Sequence, residues 1–431
     1  MDTAREANDA VELVARDSYG RLVAWLASRC RDLSLAEDAM SDALEAALVR
    51  WRDEGVPSSP EAWLLTVARR RIIDRKRRAN TRTSNEEALR IHSVQRLQQE
   101  ALEAQAVPFR ERLPDRRLGL LLACTHPEIP PKIRTALMLQ VVLGLEAERI
   151  AQVMLVKPAT LSQRLVRAKR TISRLQLTFE VPAPDDLPRQ LPPILEAVYA
   201  AYGTGWAASP DHGLRGLTRE ALYLARLCVD LAPGSGESKG LLALLCFVES
   251  RRGAQLAEGR FVPLEQQDPK RWDHELIMAG ERALWLASRD EDRGPFQIEA
   301  CIQSLHAHRA RSGRTDWAGI ESLYRILVEL YPTIGARIGW AAALAQLNRG
   351  EEARAILDAL PPDAVVRHQP YWAVRAFVLR ALDPEAAGES YERALGLTGD
   401  EARRQWLLEQ KEHLPTGRLG RVADRTKPKA R

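Results

Sequence analysis

Apolar residues recur every three or four positions along almost the whole chain, which is the period of an amphipathic α-helix. No segment shows the convincing alternation of apolar and polar residues that marks a β-strand. The pattern therefore predicts an all-α protein. Three breaks interrupt it: a polar segment at 80–113, a segment with five prolines at 179–193, and Pro415, after which the chain is basic.

The first block of the chain predicts two helices joined by a short loop. The sequence SLAED marks the start of the first helix, with Ser34 as the N-cap and Glu37 completing a capping box. Its apolar side is expected to bury Met40, Leu44, Ala47, Leu48 and Trp51. An acidic stripe on this helix consists of Glu37, Asp38, Asp42 and Glu45. The second helix is expected to begin at Pro60, with Ser59 as its cap.

The second helix ends in a concentration of positive charge. Seven of the ten residues 69–78 are basic and one, Asp74, is acidic; the basic ones are Arg69, Arg70, Arg71, Arg75, Lys76, Arg77 and Arg78. One carboxylate cannot neutralise seven cations, whereas a nucleic-acid backbone supplies the missing counter-charge. The alternative is a basic helix end that is simply solvated.

Residues 130–175 predict a helix followed by a helix-turn-helix. An apolar helix stops near Gly144, a short helix follows, and a turn at 156–158 leads into a basic amphipathic helix. The apolar stripe of that helix consists of Leu161, Leu165, Ala168, Ile172 and Leu175. The candidates for contacts to DNA lie in its first half, where contacts to the major groove concentrate, and are Thr160, Ser162, Gln163, Arg164 and Arg167. The alternative is an ordinary helical hairpin with a solvated basic face.

The third block predicts helical repeats. Three similar helix ends place Tyr324, Ile356 and Tyr391 at intervals of 32 and 35 residues. Tetratricopeptide-like helix pairs repeat with a period of about 34 residues. Gly350 lies at the expected turn of one such hairpin, in ALAQLNRGEEARAIL. We therefore predict a tetratricopeptide-like domain.

Charge is distributed unevenly along the 431 residues, although the net charge is only +5. Counting Lys and Arg against Asp and Glu, residues 1–178 carry +7, residues 179–414 carry −7 and the last seventeen carry +5. A basic front half suits a polyanionic partner, and an acidic body suits a different one. The tail is rich in Pro, Gly and Arg and is interpreted as disordered.

Composition and motifs argue against several classes of protein. No apolar stretch approaches the roughly 18 residues of a membrane span, and no signal core opens the chain, so we expect a cytoplasmic protein without a membrane partner. Five scattered cysteines favour a reducing compartment. Cys124 and His126 lack a second pair of metal ligands, and no nucleophile accompanies His306, His308 and Asp316. We therefore expect no metal, no cofactor and no enzymatic activity.

The order of these modules resembles that of extracytoplasmic-function (ECF) sigma factors. LSLAEDAMSDALEAALVRW is similar to the region 2 helix that grips the RNA polymerase clamp, and PEAWLLTVARRRIIDRKRR to the next helix, which faces the −10 promoter element. ERIAQVMLVKPATLSQRLVRAKRTI is similar to the region 4 helix-turn-helix that reads the −35 element. GLLALLCFVESRR and TDWAGIESLYRIL resemble motifs of the subgroup with a long helical, tetratricopeptide-like C-terminal extension.

The resemblance and the breaks together divide the chain into six segments. These are region 2 (1–79), a linker (80–113), region 4 (114–178), a Pro-rich linker (179–193), the tetratricopeptide-like domain (194–414) and the basic tail (415–431). The fold class predicted is thus two small helical sigma domains followed by a helical repeat domain.

The resemblance also implies a function and the residues that serve it. The chain would bind core RNA polymerase through Glu37, Asp38, Asp42 and Glu45 and contact promoter DNA through both basic helices, while the C-terminal domain regulates in cis on a protein or small-molecule signal. The loop 52–60 would help to hold a flipped −10 base, whereas Trp63 is expected to be a core residue. Two alternatives stay open: a helix-turn-helix regulator with a tetratricopeptide sensor, and a protein-interaction scaffold.

Overall fold

The computed structural model describes residues 2–80, 116–154, 156–175, 177, 179, 187–207 and 215–415. The described residues are mostly α-helical, and their strands are limited to β1 (Leu256–Ala257) and β2 (Arg260–Phe261), an antiparallel pair with Leu256 opposite Phe261. The prediction of an all-α protein is confirmed. The chain divides into two compact units, Met1–Gly234 and Ser235–Arg431. Most of the predicted linker at 80–113 and of the basic tail at 415–431 lies outside the described residues.

Three helices open the first unit: α1 (Asp2–Cys30), α2 (Leu33–Glu54) and α3 (Pro60–Asn80). Each packs against the other two, and α3 begins at Pro60 as expected. The capping box predicted at Ser34 is wrong, because Asp32 is the N-cap of α2 and its carboxylate accepts a hydrogen bond from the backbone N of Leu35 at 3.1 Å. Aspartate is as good an N-cap as serine, and starting the helix earlier leaves Glu37 free to serve elsewhere.

Four further helices follow: α4 (Arg117–Cys124), α5 (Pro131–Val141), α6 (Ala147–Val153) and α7 (Pro158–Leu175). The chain leaves α5 through Gly144, whose φ of +67° is a left-handed conformation that glycine adopts without strain. The helix α6, the turn and α7 form the predicted helix-turn-helix. In α7 the residues Leu161, Leu165, Ala168 and Ile172 are no more than 3% exposed, which confirms the apolar stripe.

A helical hairpin completes the first unit and consists of α8 (Leu187–Ala207) and α9 (Arg215–Leu231). α8 begins inside the Pro-rich segment that the sequence marks as a linker, and it continues through Pro192 and Pro193. Each of these prolines lacks the N–H that an interior helical residue donates. Burial of Leu191, Ile194 and Leu195 beside them favours the helix nevertheless. α8 also packs on α4 and α5.

The second unit begins with α10 (Gly236–Ser250), against which α11 (His274–Ala287) and α12 (Pro295–Ser312) pack. The N-termini of α10 and α12 cap each other. The carboxylate of Glu237 accepts hydrogen bonds from the backbone N atoms of Phe296 (3.2 Å) and Gln297 (3.0 Å), and Asp292 accepts one from the backbone N of Gly236 at 2.6 Å. Acidic groups at helix N-termini accept hydrogen bonds from the free N–H groups and interact favourably with the helix dipole.

Helical pairs make up the rest of the second unit. They are α13 (Trp317–Leu330) with α14 (Ile334–Gln346), α15 (Gly350–Asp358) with α17 (Gln369–Leu379), and α18 (Pro384–Gly396) with α19 (Glu401–Glu412); the short α16 (Pro362–Val365) precedes α17. The first helices of the pairs start 33 and 34 residues apart. Tyr324, Ile356 and Tyr391 lie near the middle of those three helices. A tetratricopeptide-like repeat requires this order, and the assignment to that class stays a prediction.

Candidate nucleic-acid interface

The basic end of α3 presents positive charge on one side and packs on the other. Arg70, Arg71 and Arg77 are exposed, whereas Ala68 and Ile72 are buried in the helical core. Further cations on the helix belong to this group: Arg69 is partly buried over the ring of Trp25, 5.7 Å from its centroid, and Lys76 donates to the backbone O of Cys30 at 3.2 Å. The side chain of Arg78 lies outside the described part of the structure.

Arg75 differs from its basic neighbours because two acids of α2 hold it. Its guanidinium lies 3.0 Å from the carboxylate of Asp38 and 3.0 Å from that of Asp42. All three side chains are partly exposed, so the pairs are screened and contribute modestly to stability. The two carboxylates nevertheless neutralise the charge of Arg75 and fix α3 on α2. A contact between Arg75 and a phosphate would have to break these ion pairs.

The first half of α7 exposes several polar side chains, with Val166 exposed among them. Ser162, Gln163, Arg164 and Arg167 are exposed and Thr160 is partly buried. Among the described residues, none forms an ion pair with Arg164 or Arg167. Two guanidinium groups and an amide, held by a rigid helix whose other side is buried, can donate to and accept from base edges in a major groove. The polar residues predicted for DNA contact are thus brought together on one helix.

The acidic stripe of α2 is not one uniform surface. Glu45 is exposed, Asp38 and Asp42 hold Arg75, and Glu37 lies 2.9 Å from Nζ of Lys169 on α7. The side chains of that last pair are only 12% and 16% exposed. Burial raises the pKa of the Glu37 carboxyl, and Lys169 opposes that rise. Of the four predicted residues, Glu37 is therefore already occupied within the chain.

The C-terminal half of α2 adds an apolar surface that the sequence pattern missed. Leu48 was expected in the core but is 38% exposed, and Val49 beside it is 61% exposed. The helix turns Leu44 and Ala47 inward, and Leu48 falls at the edge of the buried face. Apolar side chains next to the exposed carboxylate of Glu45 suit a protein partner better than a phosphate backbone.

The loop between α2 and α3 is flanked by a well-packed support. Trp51 is buried, and Trp63 meets it edge to face with the ring centroids 5.5 Å apart. Glu61, in the first turn of α3, accepts hydrogen bonds from Arg21 at 3.0 Å and from Ser18. These contacts fix both ends of the loop, which is shorter than the predicted 52–60 and spans residues 55–59, because α2 continues through Glu54. Trp63 is partly buried against Trp51.

The hairpin α8–α9 contacts the helices that precede the helix-turn-helix. Arg117 of α4 pairs with Glu220 of α9, and its guanidinium lies over the ring of Tyr223, 4.6 Å from the centroid. The side chain of Arg117 is 7% exposed. A cation buried this far needs its partners, because leaving it unpaired carries a large desolvation penalty.

Cys124 and His306 are buried among the helices. The described residues contain no group of three or more His, Cys, Asp or Glu side chains that could hold a metal ion. Cys124 is buried, and His126 Nδ1 accepts from the backbone N of Glu128 at 3.2 Å. His306 is buried beside Trp317, and burial, with Arg251 and Arg309 nearby, lowers its pKa to about 3. Asp316 caps α13 by accepting from the backbone N of Gly319.

The helices in the described part of the chain are all too short or too polar to cross a membrane.

Comparison with known families identifies three segments. Residues 15–82 match sigma-70 region 2, residues 120–172 match sigma-70 region 4, and residues 190–288 match a family of unknown function, DUF6596. The uncharacterized protein R00370 of Rhizobium meliloti (strain 1021) is 32% identical over 389 residues, which cover 89% of this chain and 91% of that protein. No solved structure matches the chain.

Proposed function

We propose that this chain, which belongs to the same family as the Rhizobium meliloti protein and carries sigma-70 regions 2 and 4, is an ECF-type sigma factor. It binds core RNA polymerase, places region 4 on the −35 element and region 2 on the −10 element, and initiates transcription. The polymerase carries out the chemistry. The observation that supports this most is the presence of two separate basic helices, α3 and α7, in the segments that match regions 2 and 4.

Sequence recognition is assigned to α7. Arg164 and Arg167 suit guanine, whose O6 and N7 accept two hydrogen bonds from a guanidinium, and Gln163 suits adenine. Thr160 and Ser162 donate to or accept from either bases or phosphates. Because the opposite side of α7 is buried, these side chains keep a fixed spacing along the groove.

We assign contacts with the phosphate backbone of the promoter to Arg69, Arg70, Arg71 and Arg78. Arg75 is assigned the role of holding α3 on α2. We expect Arg71→Ala to lower the slope of log affinity against log salt by about one unit, because one phosphate contact is lost. Arg75→Ala is the matched control, since Asp38 and Asp42 already neutralise its charge. The measurement is promoter binding by the polymerase holoenzyme between about 50 and 200 mM KCl. An equal loss of slope in both variants would place Arg75 on DNA as well.

Binding to the polymerase is assigned to the exposed side of α2. Asp38, Asp42 and Glu45 supply negative charge, and Leu48 and Val49 supply exposed apolar area beside them. Interfaces of this mixed kind bind through the apolar residues and are oriented by the charges. Glu37 belongs to the same surface only when Lys169 releases it.

The second unit, Ser235–Arg431, is assigned to regulation in cis. Its helical pairs follow the order of tetratricopeptide-like repeats, a class that binds proteins or peptides, and residues 235–414 of this unit carry a net charge of −4. The signal that acts on it is a protein or a small molecule.

The experiment that tests the proposed function is multi-round transcription with purified core polymerase on candidate promoters, with and without this chain. Promoter-specific transcripts that disappear when residues 69–71 are changed to alanine are the expected result. DNA binding without any polymerase-dependent transcript, across a broad promoter library, would favour a helix-turn-helix regulator. Absence of DNA affinity at every salt concentration would favour a scaffold.

A further inference from the structure

A cavity of about 410 Å³ lies within the second unit, between α16, α17, α18 and the end of α15. Its apolar wall includes Leu360, Val365 and Tyr371, which are no more than 6% exposed and belong to the core of this unit. Val366 lines the same cavity and is 47% exposed. Sites for small molecules have volumes of about 300–1,000 Å³ and are mostly apolar, with a few polar groups. This cavity therefore has the size and the apolar wall of such a site.

Trp372 gives the cavity a rigid aromatic surface. Its ring meets that of Tyr371 edge to face, with the centroids 5.0 Å apart, and its Nε1 donates to the backbone O of Val366 at 3.2 Å. These two contacts hold the indole in one orientation. An aromatic surface that is already ordered binds a ligand without a further loss of side-chain freedom.

Two arginines line the cavity, and the charge of one of them is neutralised within the chain. Arg375 of α17 is partly buried and pairs with Asp358, whose carboxylate also lies 3.5 Å from the guanidinium of Arg354. Arg375 therefore forms part of the wall, and its charge already has a partner.

The charge of the second arginine, Arg393 of α18, is available to a ligand. Its guanidinium lies over the ring of Trp372, 4.9 Å from the centroid, and its side chain is exposed. Stacking uses the face of a guanidinium and leaves the N–H donors at its edge free, in a planar arrangement that matches a carboxylate. No acidic group in the described part of the chain forms an ion pair with Arg393.

Glu389 lies one turn before Arg393 on α18 and is exposed at the same cavity. A glutamate followed four positions later by a basic residue is the order that favours an ion pair on a helix. These two residues form none, because Arg393 lies over Trp372 instead, and Glu389 has no other ion-pair partner among the described residues. The cavity thus carries an anion and a cation without partners, about one helical turn (~5.4 Å) apart, beside an apolar wall.

We propose that this cavity binds a small zwitterion, an α-amino acid with an apolar side chain, and that this amino acid is the signal to which the second unit responds. Its carboxylate accepts hydrogen bonds from Arg393, its ammonium group donates to Glu389, and its side chain packs on Trp372. A ligand with one charge of each sign leaves neither residue without a partner, whereas phosphate would bring like charge close to Glu389. The role as signal rests on the proposed function; the binding site does not.

Isothermal titration calorimetry on the full-length chain tests the binding site. The probes are leucine, isoleucine, methionine, phenylalanine and tryptophan, with inorganic phosphate for comparison. We expect at least one of these amino acids to bind with a Kd below about 1 mM, and phosphate not to bind. The N-acetyl and amide derivatives of the amino acid that binds best lack the ammonium group and the carboxylate, respectively. Each should bind at least about tenfold more weakly, because one charge-assisted hydrogen bond is lost.

Two substitutions identify the charged groups. Arg393→Met keeps the apolar stem of the side chain and Glu389→Gln keeps its shape; each should weaken binding of the amino acid at least about tenfold. Arg380→Met is the matched control for the first, because Arg380 is also exposed and stacks on an aromatic ring outside the cavity, 4.3 Å from its centroid. Glu385→Gln is the control for the second, since Glu385 is an exposed carboxylate one turn earlier on α18. Both controls should bind like the parent protein.

Transcription with core polymerase shows whether the amino acid is a signal. Its addition should raise or lower the yield of transcript at least about fivefold with the parent protein and with both controls, which is the lower end of ordinary allosteric coupling. The yield should not change with Arg393→Met or Glu389→Gln at the same concentration.

Absence of binding by every amino acid tested, or unchanged affinity in either Arg393→Met or Glu389→Gln, would overturn the binding site. Equal or tighter binding of the N-acetyl derivative would assign the cavity to the C-terminus of a peptide instead, and the same result for the amide would assign it to a peptide N-terminus. Binding without a change in transcript would overturn the role as signal. Absence of transcript from every form, the parent protein included, would overturn the proposed function and leave the binding result standing.

Discussion

Changing Arg164 and Arg167 together to alanine is expected to lower promoter-specific transcription at least about thirtyfold. Each good bidentate contact between a guanidinium and a guanine is worth about 1–3 kcal/mol of discrimination. Two such contacts are together worth at least about 2 kcal/mol, which corresponds to about thirtyfold. Both side chains are exposed on a helix whose opposite face is buried, so their removal leaves the core of region 4 unchanged.

The measurement is a single-round transcription assay with core polymerase on a responsive promoter and on a copy with a scrambled −35 element. Arg174→Ala is the matched control, since it removes a positive charge from the far end of the same helix, where Arg174 pairs with Glu128. We expect the double variant to transcribe both promoters equally and the control to retain the preference. A double variant that keeps the preference would remove α7 from sequence recognition.

Local patterns in the sequence were sufficient to predict the helices that carry the site. The stripe of Leu161, Leu165, Ala168 and Ile172 places Arg164 and Arg167 on the outer face of α7, and the structure confirms the stripe. A helical period determines which residues share a face, because 3.6 residues complete a turn regardless of what lies elsewhere. Pro60 likewise marks the start of α3 through its own geometry.

Contacts between distant residues could not be predicted in this way. Glu37 and Lys169 are separated by 132 positions, and neither carries a local mark that distinguishes it from solvated charges nearby. The role of Arg75 could not be predicted for the same reason. Nothing in the local sequence distinguishes it from the six other basic residues, and its pairing with Asp38 and Asp42 is a contact between two helices. Gly20, in the interior of α1, lies so close to the carbonyl O of Val142 that an added Cβ would overlap it. A glycine inside a helical pattern is a signal that such a packing reason exists, although it does not show which residue supplies it.

The Pro-rich segment shows a different limit. Five prolines within residues 179–193 indicate a break, yet α8 starts at Leu187 and includes two adjacent prolines. Helix propensity registers the N–H donors that the prolines lack. It does not register the burial of Leu191, Ile194 and Leu195, which depends on packing against α4, α5 and α9. The compact unit that contains region 4 therefore extends to Gly234.

A chain ending at residue 178 is expected to be much less stable than one ending at Gly234. The shorter chain leaves Arg117 without Glu220 and Tyr223 and uncovers the sides of α4 and α5 on which α8 packs. Removing one partner of a buried ion pair costs about 3–5 kcal/mol, and the partial exposure of Glu220 brings this to the lower end. At about 2–4 °C per kcal/mol, Tm should fall by at least about 6 °C.

Thermal unfolding of both chains, followed by circular dichroism, checks this expectation, and Glu220→Gln in the longer chain isolates the part due to the ion pair. Equal values of Tm for the two chains would show that the hairpin α8–α9 does not support region 4. The result also decides which deletion can test regulation in cis. A chain cut at residue 178 would lose activity through unfolding, whereas a chain ending at Gly234 keeps the first unit whole. Transcription by that longer chain, compared with the full-length protein, therefore measures what Ser235–Arg431 contributes.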